Sequence, residues 1–179
     1  MTDTSESAAR IEQVLEERAR ALARAPEDES ASHDAELVVL ALGEERYGVD
    51  ILQVQTIQAL AGLTPVPGLP PYWAGLVNLR SRLYPVLNLR RYLALPGQPA
   101  EGGKVVLVEA AGLNVALWVD DVLAVRRVPL DQIGAPLADA VTAAQRGPGV
   151  RGVTTDLLVV LDLDVLLGDP RLVIQANAV

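Results

Sequence analysis

The spacing of apolar residues changes once along this chain, near Glu36, and that change limits the fold more than any other feature. Before it, Ile11, Val14, Leu15, Arg18 and Leu22 recur at the 3.6-residue period of one helix face. Residues 5–25 are therefore read as an amphipathic helix, with Ser5 or Ser7 to cap it and Pro26 to end it. Glu16 and Arg20 are spaced for an i,i+4 pair on the polar face. The apolar stripe is narrow, so the helix is expected to dock on this chain's own body or on a partner helix. Residues 27–34 are acidic and read as a linker.

After Glu36 the period is 2. Short apolar runs alternate with turn residues, which means an all-β barrel or sandwich. Strands are expected at residues 37–42, 46–49, 54–60, 74–79, 83–87, 105–109, 113–119, 122–127, 150–154 and 157–161. The four prolines and two glycines between residues 62 and 71 make a stiff connection. Residues 88–95 suit one helical turn, and Asp162 suits the cap of a short helix over 163–167. Residues 129–149 have few strand formers and are read as a mobile loop. Two clusters of about five strands favour paired small barrels, split near residues 96–103. The domain reading is a helix and linker over 1–35 and a β domain over 36–179.

Composition removes most chemistry. Cysteine is absent, the lone histidine is His33 in the linker, and the only lysine is Lys104. Thiol nucleophiles, cysteine zinc sites and histidine triads are thereby excluded, and no cofactor or metal is expected. Two carboxylate pairs remain, Asp120-Asp121 and Asp162-Asp164. The first is read as a hairpin turn and the second as a helix cap, without a third ligand for a metal or a reaction. Residues 1–36 hold 10 Asp/Glu and 4 Arg, whereas residues 37–179 hold 13 Asp/Glu and 11 Lys/Arg. The nearly neutral body, with 3% aromatics, argues against nucleic-acid binding. The acidic, polar beginning has no signal-peptide pattern, and no apolar run approaches about 20 residues, so a cytoplasmic protein without membrane insertion is expected.

Five motifs in order resemble the CheW-like coupling proteins of bacterial chemosensory systems. They are Tyr47-Gly48-Val49-Asp50-Ile51-Leu52-Gln53-Val54-Gln55; Thr64-Pro-Val-Pro-Gly-Leu-Pro-Pro-Tyr-Trp-Ala-Gly-Leu-Val-Asn-Leu-Arg80; Tyr84-Pro85-Val86-Leu87-Asn88-Leu89-Arg90; Ala116-Leu117-Trp118-Val119-Asp120-Asp121-Val122-Leu123; and Val150-Arg-Gly-Val with 157–167. The resemblance implies two five-stranded SH3-like barrels around a shared apolar seam. It also implies a non-enzymatic adaptor, recruited to membrane-associated receptor arrays. Such an adaptor bridges a chemoreceptor's cytoplasmic tip to the regulatory domain of a CheA-type histidine kinase.

By the same resemblance, Val54, Thr56, Arg80 and Ser81 are the receptor-binding candidates. Ile57 lies on the same strand. A planar guanidinium at a strand end suits a partner carboxylate or helix C-terminus. Leu117, Trp118 and Val119 are the kinase-facing candidates. Asn78, Leu79, Pro85, Asn88 and Asp120 are read as structural, with the Asn78 amide satisfying backbone groups beside its turn. Trp73 is expected to plug a barrel. Thr56 stands where the family has glutamate, Ser81 where it has glycine, and Asn88 where it has aspartate. These departures leave open a scaffold of a non-chemotactic pathway, such as twitching or surface sensing, whose dedicated partner binds the N-terminal helix. A reading from another class is a small-ligand barrel or carboxylate-dependent hydrolase, which would need a polar pocket gathering those Asp residues.

Overall fold

The structure is a computed structural model of the 179-residue chain and describes residues 34–98, 101–135 and 149–173. The expected helix over 5–25, its linker before Asp34, and most of the 129–149 segment lie outside the described residues.

Two-residue turns set the local structure. Strands β1 (Asp34–Leu42) and β2 (Glu45–Asp50) meet at Gly43-Glu44, with Gly43 at φ 66°. One 3₁₀ turn, Ile51–Gln53, leads into β3 (Val54–Ala59). Strands β4 (Trp73–Leu79) and β5 (Arg82–Asn88) turn at Arg80-Ser81, and the one-turn helix α1 (Leu89–Tyr92) follows. Strands β6 (Lys104–Ala110) and β7 (Leu113–Val119) turn at Ala111-Gly112, and β8 (Asp121–Pro129) follows at once. Strands β9 (Val150–Val153) and β10 (Leu158–Leu161) precede helix α2 (Leu163–Leu167). Positive φ at both residues of the Arg80-Ser81 and Ala111-Gly112 turns, and at Gly43 in the first turn, matches the right-handed twist of the flanking strands.

The strands form two five-stranded sheets, in the orders β8-β1-β2-β10-β9 and β3-β6-β7-β5-β4. Both repeat one pattern. The third and fourth strands in each order run parallel (β2 with β10, β7 with β5), and all other neighbours run antiparallel. Each sheet closes on itself through one bridge: Thr64 to Leu76 in the second, Gly134 to Val153 in the first. A glycine makes each closure possible. A Cβ at Gly75 (φ 137°) would stand 2.1 Å from the Thr64 carbonyl oxygen, and one at Gly152 would stand 2.6 Å from that of Gly134. The two barrels are thus internal twins, with β8-β9-β10-β1-β2 matching β3-β4-β5-β6-β7.

This pairing corrects the expected division near residues 96–103. Strands β6 and β7 lie beyond that point, yet they sit between β3 and β5. The second barrel is one continuous stretch, and the first is assembled from both sides of it. Asp120-Asp121 is therefore not a hairpin turn. Asp120 is the crossover between barrels and Asp121 begins β8, because β7 and β8 belong to different sheets.

Three apolar clusters follow. Each barrel has a small interior, built on Leu37, Val39, Val128, Leu158 and Val160 in the first and on Val77, Leu79, Val86, Val105, Leu107 and Ala116 in the second. The largest cluster is the seam between them, where Val38, Leu40 and Val49 meet Val106, Leu117, Val119 and Leu163. Central strands such as β1, β6 and β7 are buried on both faces, so they read as continuous apolar runs. Truncating one seam residue, as in Leu117→Ala, costs about 3 kcal/mol by ordinary core behaviour.

Two polar nodes pin the ends of this seam. At one, the Asp120 carboxylate accepts from the Gly43 backbone N–H at 2.6 Å and from the Arg90 guanidinium. The second Arg90 nitrogen donates to the Pro96 carbonyl at 2.7 Å. At the other, the Asp164 carboxylate accepts from the Ala111 backbone N–H at 2.7 Å and from the Gln53 amide at 2.9 Å. Each node joins a hairpin turn of one barrel to the helix that follows the parallel strand, β5 or β10, of the other, through a crossover residue. Arg90 and Asp164 hold the same place in their helices, two residues after the caps Asn88 and Asp162.

Candidate functional site

The β4–β5 hairpin outruns its neighbour. Strand β5 pairs with β7 only over Val86–Asn88, while β4 and β5 stay paired out to Leu79 and Arg82. Pro85 lies just before that parallel pairing begins, so its missing N–H removes no bond to β7. Leu79 is buried in the barrel interior and anchors the tip from below. Arg80 (φ 51°) and Ser81 (φ 64°) both adopt the left-handed conformation, without glycine at either position. Four exposed residues follow one another: Arg80, Ser81, Arg82 and Leu83, the last 67% exposed. Among the described residues, neither Arg80 nor Arg82 has a carboxylate partner, whereas Arg90, Arg126, Arg127 and Arg171 each do. Arg82 and Leu83 were not anticipated. Their signal was available in the alternation Leu79-Arg80-Ser81-Arg82-Leu83, which puts two charges on one short turn.

The antiparallel bridge of Thr64 to Leu76 runs β4 back along residues 60–64, so the Arg80 turn lies toward the Ala59 end of β3. Val54 lies at the other end, about 17 Å away at strand rise. The structure therefore does not gather the four receptor candidates at a point. It sets them along a rail. Strand β3 is an edge strand whose Gln55, Ile57, Gln58 and Ala59 are exposed, with Thr56 half-buried. Val54 is half-buried against the seam.

The kinase-facing expectation needs correction. Leu117 and Val119 are fully buried in the seam, and Trp118 packs into the second barrel's interior. Strand β7 is central and covered on both sides, so alternation leaves Leu117 and Val119 buried and Trp118 only half-exposed. Asn78 also differs from expectation. Its side chain is exposed and, among the described residues, makes no hydrogen bond. Asn88 does act structurally, because its side-chain oxygen accepts the Arg91 N–H at 3.0 Å and caps α1. Asn serves there as well as Asp, so this departure from the family concerns a cap. Trp73 is half-buried against the seam cluster.

The carboxylates are committed elsewhere. Asp120 is bound in its node, Asp121 pairs with Lys104 at 2.6 Å, Asp162 caps α2, and Asp164 holds the second node. Among the described residues no three His, Asp or Glu side chains gather as metal ligands. Asp156 is held below its ordinary pKa by the Thr154 hydroxyl, with Arg126 adding to it. Asp169 is lowered to about 2, chiefly by hydrogen bonding from Arg171 and also by the Tyr92 hydroxyl at 2.7 Å. Tyr92 rises to about 12 through burial and then Asp169. Burial, aided by Glu45, also raises Tyr47. No described helix is long and apolar enough to cross a membrane.

Residues 36–171 match the model of the CheW-like domain. The chain belongs to the CheW-like domain family. This CheW-like domain is 32% identical over 149 residues to the Treponema pallidum chemotaxis protein CheW, covering 79% of this chain and 87% of that protein. The Klebsiella aerogenes chemotaxis protein CheW is 31% identical over 144 residues, with the same two shares. Protein FrzA of Myxococcus xanthus is 32% identical over 122 residues, which is 67% of this chain and 76% of FrzA. Among solved structures, the scaffolding protein TtCheW from Thermoanaerobacter tengcongensis superposes with a TM-score of 0.66 at 26% identity. The match covers 77% of this CheW-like chain and 95% of that one.

Proposed function

We propose that this CheW-like protein is a non-enzymatic adaptor, joining a chemoreceptor's cytoplasmic tip to a CheA-type histidine kinase. The observation that carries the receptor side is the hairpin tip. Two exposed arginines without carboxylate partners among the described residues stand at a turn anchored by the buried Leu79. A receptor helix laid along β3 would meet Val54 at one end and Arg80 with Ser81 at the other. At 1.5 Å per residue that rail takes about 12 helical residues. The kinase's regulatory domain takes a separate face, outside Leu117 and Val119. Coupling needs both contacts at once, so moderate affinities gain from avidity when many copies sit in an array.

Arg80→Glu tests this reading. Receptor affinity falls by roughly 1–3 kcal/mol in a pull-down or titration, the range for a charged interface contact, while the folding midpoint stays put. Unchanged receptor capture sinks the assignment.

Thr56 favours a second reading, a specialised scaffold of a non-chemotactic pathway. It leaves the β3 rail without a charge where the family carries glutamate. Deleting residues 1–35 separates the two readings: loss of partner capture favours the specialised scaffold, and retention favours the ordinary adaptor.

A further inference from the structure

Three exposed aliphatic residues lie on the segments that the Asp164 node ties together. Leu52 is 90% exposed, Val165 55% and Leu113 48%. Each lies within two residues of a group bonded there. Leu52 precedes Gln53, Val165 follows Asp164, and Leu113 is two residues beyond Ala111. The segments that meet at this node, residues 50–55, 109–114 and 162–168, carry Asp50, Glu109, Asp162 and Asp164 and no Lys, Arg or His. Asp50 accepts the Leu52 N–H at 2.9 Å, which holds the Leu52 turn in shape. Glu109 accepts from the Gln55 amide.

The internal twin supplies a control for this surface. The place of Val165 in α2 is taken by Arg91 in α1, three residues after each cap. The place of Leu113 after its turn is taken by Glu45. At the Asp120 node the matching positions are therefore charged, and the crossover is a single residue with no counterpart of Leu52. Fold geometry alone does not call for aliphatics here. Exposed aliphatics on acidic segments that hydrogen bonds tie at one node suit a recognition surface.

We infer that the Leu52, Leu113 and Val165 surface docks a partner's amphipathic helix, one whose aliphatic stripe is flanked by Lys or Arg. Charge complementarity selects this occupant. A second copy meeting the same face would set Asp164 and Glu109 against their own counterparts. This contact goes beyond the receptor contact at Arg80 and does not depend on it.

The test uses the full chain and a fluorescein-labelled designed peptide of about 16 residues, four helical turns, with a leucine stripe and lysine flanks. Fluorescence anisotropy is expected to show saturable binding. Leu52→Asp and Val165→Asp should each weaken it at least about tenfold, as loss of a central anchor does. Leu123→Asp adds the same charge at a 52% exposed position on β8 and should leave binding unchanged. A peptide with glutamate in place of lysine should not bind. Leu52→Gln and Val165→Thr repeat the measurement without added charge. No saturable binding of the lysine peptide, equal weakening by all three aspartate variants, or wild-type binding by the Leu52 and Val165 variants would overturn the inference.

Discussion

The two nodes at the ends of the seam are built to one plan and filled with different chemistry. Both tie a hairpin N–H, a crossover and a helix residue to one carboxylate. At the Asp120 node the helix residue is Arg90, and the pair is nearly closed to water, with side chains 10% and 15% exposed. At the Asp164 node the helix residue is itself the carboxylate, the partner is an amide on half-buried Gln53, and the bond is exposed to solvent. One end is thus a fastening, where charge is matched inside. The other leaves a surface on which aliphatics and carboxylates remain available. Twin positions free to differ show which features the fold demands and which it leaves to recognition.

The largest effect should separate the nodes. Asp120→Ala strands the Arg90 charge in a mostly buried site and should lower stability by about 4 kcal/mol, whereas Asp164→Ala removes exposed hydrogen bonds and should cost about 1 kcal/mol. Equal losses in urea unfolding would erase the distinction. The barrel closures come next. Gly75→Ala should cost about 3 kcal/mol, because both the left-handed φ and the Thr64 carbonyl oppose a side chain. Gly152→Ala meets its clash without a positive φ and should cost less. A reversed order of thermal midpoints would show that the first barrel's bridge matters more.

The smallest effect concerns acid. Asp169 titrates near 2 in the folded chain against 3.8 ordinarily, so its contribution is complete above about pH 4 and is lost as pH falls toward 2. Asp169 bonds to Tyr92 of α1 just beyond α2, a link drawn from one helix only. Asp169→Asn should therefore flatten the stability profile between pH 4 and 2. An unaltered profile would show that other carboxylates govern the acid limb.

The strands were legible because their turns are: Gly43-Glu44, Arg80-Ser81 and Ala111-Gly112 each interrupt alternating apolar residues at hairpin spacing. Which strands neighbour which was not, since the parallel pairings β5–β7 and β2–β10 leave no local mark. Leu117, Trp118 and Val119 were misplaced for that reason: a strand's faces are known only once its neighbours are. The exposed place of Arg80 and Ser81 on a turn was legible from the turn itself. Arg90 looked like any surface arginine near a helix start. Comparing Val86-Leu87-Asn88-Leu89-Arg90 with Val160-Leu161-Asp162-Leu163-Asp164 exposes the internal repeat and, with it, the paired nodes.

The split first barrel has a consequence in time. During synthesis β1 and β2 emerge first, yet β10 follows about a hundred residues later. At 5–20 residues per second that is a delay of about 5–20 s. The second barrel, contiguous from β3 to β7, is complete well before then. Its seam face therefore meets the waiting hairpin of Val38, Leu40 and Val49 before the hairpin's own barrel exists. The nascent chain shelters its oldest strands on a neighbour made later, and β10 has still to find β2 when it emerges.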